Sequence, residues 1–170
     1  PYHQDSALYP IIEMIRETCG CEHMDPPEEQ LEAVERAMVA SGFSLSESVP
    51  ICAQLLDIPL GDKYEAPDVL PEKQRRQTLE TLLDHVLVAA SRAPIIFVVE
   101  DVQWADPSTV EFLGMLIDQA PTASLLAVFT FRPVFHPPWN PRSHVAHIAL
   151  NRLSRGRVVD MVAGVAGDGV

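Results

Sequence analysis

Lysine is nearly missing from this 170-residue chain: the two present, Lys63 and Lys73, both precede the point where the sequence turns strand-like. A receiver-type phosphoacceptor domain needs a lysine on a later strand end, so that reading is disfavoured. No G-x-x-x-x-G-K-[ST] run occurs either. Gly61-Asp62-Lys63 is the nearest approach to one and lacks any glycine-rich or strand-like run ahead of it. The 170 residues therefore hold no backbone cradle of that type for phosphates. A G-x-S-x-G elbow is also missing, which leaves a serine-hydrolase triad unsupported. No apolar run approaches the roughly 20 residues that span a bilayer. The N-terminus lacks the basic-then-apolar pattern of a secretory signal.

Cysteine is scarce, at three residues (Cys19, Cys21, Cys52), an odd number too small for a disulfide scaffold. Cys19-Gly20-Cys21-Glu22-His23 has the look of metal ligands but no second cluster at zinc-site spacing. Reduced, cytoplasmic thiols at a helix end are the expectation. The chain opens on Pro1 rather than Met, so a piece of a longer protein is expected.

Charge of one sign is also thin: 12 bases stand against 24 acids, a net of −12. That balance argues against a nucleic-acid-binding face. The deficit is uneven, with 17 acids and 6 bases up to residue 91, and 7 acids and 6 bases from 92 onward. Hydrophobic residues at 47% with 21% charged are ordinary for one soluble domain with a core.

Residues 1–92 read as helical. "SALYPIIEMIRETCG" places Leu8, Ile11, Ile12 and Ile15 on one face, with Ser6 as cap, Pro10 in the first turn and Gly20 as stop. "PPEEQLEAVERAMVASG" opens on Pro and Glu, buries Leu31, Val34, Met38 and Val39, and ends at Gly42. A shorter helical piece with Pro50 follows, and then an exposed loop, "GDKYEAPDVL". The longest helix is expected from Pro71 to Arg92, where Leu79, Leu82, Leu83, Val86, Leu87 and Ala90 form one apolar stripe. Lys73, Arg75 and Arg76 crowd its first turn, the wrong end for the helix dipole, and loose solvated charges are expected there.

At "IIFVV", Ile95 to Val99, the period changes to a continuous β-branched and aromatic run, as in a strand covered on both faces. "DPSTVEFLGMLIDQAP" then reads as a helix capped by Asp106, with Pro107 first and Phe112, Leu113, Leu116 and Ile117 inward. "SLLAVFTFRP" is a second strand covered on both faces, "VAHIAL" a third, and "SRGRVVDMVAGVAG" the start of a last helix. This alternation predicts a parallel α/β sheet. "RPVFHPPWNPRS" is a loop long enough to carry function.

Ligands of open parallel sheets bind beyond the carboxyl ends of the strands. The first strand delivers Glu100 and Asp101 there, and two like charges side by side need a reason. Hydrated magnesium supplies one, being held by one or two carboxylates plus substrate phosphates. An apolar strand ending in paired acids is the Walker B arrangement of nucleoside triphosphatases. The second strand ends at Thr130 and Arg132, whose guanidinium could fork onto a terminal phosphate. The plainer alternative is an ion pair between Arg132 and one of the two acids.

In "PYHQDSALYPIIE", "FVVEDVQWADPST", "LLAVFTFRPVFHPPW" and "RSHVAHIALNRLSRGRVVDMV" the chain resembles the STAND class of signal-transduction ATPases, of the AAA-like P-loop group. The similarity is to the ATPase segment of bacterial multidomain adenylate/guanylate cyclases and LuxR-type regulators. It implies a three-layer P-loop sheet whose first strand and phosphate cradle are missing from these residues. Residues 1–150 would be a partial ATPase domain, helical over 1–92 and with the Walker B and sensor strands over 95–150. Residues 151–170 would begin the next helical region. It further implies ATP and Mg2+ as ligands, Glu100 as the metal-binding acid and Asp101 as the residue that polarises water. Arg132 falls on the sensor arginine, and Trp104 and Asp106 on the tryptophan–acid turn, Trp104 being expected to pack; Arg132, Thr130 and Asp106 are the expected cofactor-binding residues. Sensor and output domains of the same polypeptide, and further copies of it, are the implied partners.

Overall fold

The computed structural model describes residues 7–66 and 70–166. It is an α/β structure with, among the described residues, six α-helices and one two-stranded parallel sheet. The chain divides into two compact units, 1–140 and 141–170.

Helix α1 (Tyr9–Cys19) carries Pro10 in its first turn and stops at Gly20, whose φ of 67° is costly for any residue with a Cβ. Ser6 lies outside the described residues. The residue at the N-cap is Leu8, itself left-handed at φ 60°. Helix α2 (Pro27–Ser41) has Glu28 and Glu29 at its positive end and closes on Gly42, with Val34 and Met38 buried. Val39, expected to bury, is exposed because it lies on the far side of the helix from those two. Helix α3 (Leu45–Leu55) accommodates Pro50 and packs on α2.

A buried arginine ties these three helices together. Arg16 of α1 donates through Nη2 to the Leu56 carbonyl just past α3, and through Nη1 to Gln30 Oε1 of α2. Its third nitrogen, Nε, is buried with no partner.

Helix α4 (Pro71–Arg92) spans the expected residues and buries Leu79, Leu82, Leu83, Val86 and Ala90. Its basic first turn is less loose than expected. Arg75 reaches across to Glu111 and Ser108 of α5 (Pro107–Gln119), and Arg76 pairs with Glu80 one turn on.

Strands β1 (Ile95–Val99) and β2 (Leu125–Phe129) pair in parallel register, Ile95 with Leu125 through Val99 with Phe129. Helix α5 crosses between them and buries Phe112, Leu113, Leu116 and Ile117. The Phe112 ring lies 6.2 Å from that of Phe97, so this helix covers the face of the sheet that carries Phe97 and Val99. The expectation of two covered faces is corrected here. Ile96 (68% exposed), Val98, Leu126 (57%) and Val128 line a second face that stays open. A run of β-branched residues marks a strand without saying how many layers of helix accompany it.

The third expected strand is also corrected. Residues 145–150 form no regular element, and Ile148 and Leu150 are exposed. A strand exists only by its ladder, and apolar sequence alone does not supply a partner. The break between the two compact units falls at Asn140–Pro141, inside the proline-rich loop. Helix α6 (Arg155–Ala166) follows in the second unit. No described helix is long and apolar enough to cross a membrane.

Candidate functional site

Because Val99 and Phe129 are partners in the register, both strands end level, and Glu100 and Thr130 leave the sheet side by side. The two exits are stitched together. The Thr130 N–H donates to the Val99 carbonyl (3.0 Å), and the Val102 N–H donates to the Thr130 carbonyl (2.9 Å). The Asp101 N–H donates to Thr130 Oγ1 (3.0 Å), which the left-handed backbone of Asp101 (φ 55°, ψ 42°) makes possible. Asp is among the few residue types that tolerate that conformation. The turn then tightens into a single 3₁₀ turn, Val102–Trp104, anchored by buried Val102.

Glu100 and Asp101 are both exposed at this mouth. No described residue donates to the Glu100 carboxylate. Asp101 Oδ1 accepts from Gln103 Nε2 at 2.8 Å. Gln103 is the residue that the sequence reading missed. Its other amide atom, Oε1, accepts the Arg132 N–H at 3.0 Å. A side-chain amide is both donor and acceptor, and only one flip of Gln103 satisfies both neighbours. The signal available in the sequence was weak: a single amide residue between an acid and a tryptophan in a predicted turn.

The ion pair offered as the plainer role of Arg132 does not form. Its guanidinium bridges to neither acid and lies over the Trp104 ring, 5.9 Å from the centroid. Trp104 is 47% exposed, so it is a half-open platform under the arginine rather than the packing residue expected. A guanidinium on an indole face is held by cation–π attraction and leaves its planar fork of donors available.

Asp106 is occupied by the protein itself. Oδ1 accepts the Ser108 and Thr109 N–H groups at 2.9 and 3.1 Å, capping α5. Oδ2 accepts the Thr109 hydroxyl and, at 3.0 Å, the N–H of Leu8 at the head of α1. Thr130 likewise spends its carbonyl, its N–H and one hydroxyl lone pair on the turn.

The mouth thus brings Glu100, Asp101, Thr130 and Arg132 together, with Asp106 one turn away as a cap. Two carboxylates are too few for an all-protein metal cage, and no described group of three His, Cys, Asp or Glu could hold a metal. Two acids do fit magnesium, which completes its shell with water and phosphate oxygens. Burial, then the neighbouring Cys21, pushes the Cys19 thiol up to about 11, and burial, then Cys19, pushes Cys52 up to about 12.

Comparison with protein-family models, with curated proteins and with solved structures finds no match to this chain.

Proposed function

We propose that this chain is the ATP-binding and ATP-hydrolysing module of a multidomain, cytoplasmic signal-transduction protein, a partial P-loop domain of the STAND type. Nucleotide turnover in it would switch a cyclase, kinase or transcription output. One observation carries the reading: two exposed acids and an unpaired arginine share the mouth of a parallel strand pair. In it, Glu100 and Asp101 would hold Mg2+, and Asp101 would also orient the attacking water and accept its proton. Arg132 forks onto terminal phosphate oxygens, while Thr130 keeps both strand exits in place. Bound there, the metal supplies neutralisation of charge on the β and γ phosphates.

The reading requires a phosphate cradle from outside these 170 residues, so the chain alone should bind Mg-ATP very weakly. Calorimetric titration checks this, and tight magnesium-dependent binding would overturn it. In a polypeptide that carries the cradle, Asp101→Asn should slow hydrolysis about a hundredfold or more. Asparagine is the proper probe because it keeps the left-handed backbone.

The missing glycine–lysine motif favours a second reading, an ATPase-like scaffold without catalysis. Glu100→Gln and Asp101→Asn separate the two. A changed output accompanied by lost hydrolysis supports the switch, and no effect on either supports the scaffold.

A further inference from the structure

We infer that Gln103 is a positioning residue that makes the Asp101 carboxylate and the Arg132 main chain one mechanical unit. An oxyanion drawn to Arg132 is then felt at the acid. The inference rests on the nucleotide reading of the mouth and names a coupling that reading does not contain.

Three features lead to it. Asp101 and Arg132 belong to different exits, one after β1 and one after β2, and their side chains do not touch. Gln103 joins them by two hydrogen bonds from one planar amide, at 2.8 and 3.0 Å, so a shift of either partner rotates or breaks the other's bond. The next residue, Trp104, carries the Arg132 guanidinium on its ring. Two consecutive side chains of one 3₁₀ turn therefore hold the main chain and the side chain of the same arginine. An oxyanion that pulls the guanidinium off the indole displaces the Arg132 main chain, and through the amide it reorients the Asp101 carboxylate. Occupancy at the arginine thereby sets the geometry of the acid, with no direct arginine–acid contact.

The test uses the 15N-labelled 170-residue chain with inorganic tripolyphosphate as the probe. In Gln103→Leu the Arg132 amide should exchange with solvent on the order of tenfold faster than in the parent, having lost its acceptor. Gln103→Glu keeps that acceptor and places a like charge against Asp101, so Arg132 protection should persist. On adding tripolyphosphate, the Arg132 side-chain and Asp101 backbone resonances of the parent should move with one midpoint. In both variants Arg132 should still respond and Asp101 should cease to follow. An unchanged Arg132 exchange rate in Gln103→Leu, or an Asp101 response equal to the parent's in both variants, overturns the inference. The chain without its cradle is expected to bind polyphosphate weakly, so tripolyphosphate is added in large excess; a parent chain in which it still moves neither resonance overturns the phosphate reading of the mouth instead, and the exchange comparison alone then decides the coupling.

Discussion

Between α2 and α3 the side chains of Val34, Met38, Val49, Cys52 and Ala53 are all out of water, whereas of the ten residues of β1 and β2 only Phe97 and Val99 are buried. The two regions use equally apolar residues, and their geometry separates them. A helix has one apolar stripe, and one neighbour can cover it. A strand sends alternate side chains to opposite faces, so a sheet needs a layer on each side. Helices α1 to α4 close on one another, with Arg16 as a polar rivet, while the sheet has α5 on one face and water on the other. Its stability therefore rests on the Phe97–Phe112 side alone.

Substitutions test that contrast. The largest effect is expected at Phe112, fully buried against Phe97. Phe112→Ala should lower the unfolding free energy by about 3–5 kcal/mol, read as a fall in the urea midpoint. A loss below about 1 kcal/mol would mean that the covered face is not a packed core. Asp106→Ala should be intermediate, costing about 1–2 kcal/mol for the cap and lowering the melting temperature. A matched loss of Leu8 amide protection would show that the α1 tether goes with it. Ile96→Thr with Val98→Thr should do least, within about 0.5 kcal/mol, because both side chains already face water. A loss well beyond that would break the contrast by showing the open face covered in solution.

Helix α4 could be read from the sequence over its whole span, because six apolar residues at helical spacing leave one solution for the buried side. Gly20 and Gly42 were readable as stops, and Asp106-Pro107 as a start, since each answers a local backbone need. The acids and Arg132 were placed at the strand ends by a change of period alone. What stayed hidden depends on partners distant in the chain. The bare sheet face depends on how many helices return to it, and the fate of residues 145–150 depends on a ladder partner. The position of Arg132 over Trp104, in place of an ion pair, goes with a Gln103 bond to the Arg132 main chain that spans 29 residues. Leu8 in a left-handed conformation could not be foreseen either, because its cost of about 1 kcal/mol is borne against a carboxylate 98 residues away.

That last contact has a mechanical consequence. Asp106 Oδ2 grips the peptide that opens α1, and Asp106 Oδ1 holds the first amides of α5, so one carboxylate is the hinge pin of two helices. Tension along the polypeptide ahead of Tyr9 would load that pin directly, a few residues downstream of the acid pair. Traction on the leading end of the chain thus has a short lever onto the strand-end turn, without passing through the hydrophobic interior.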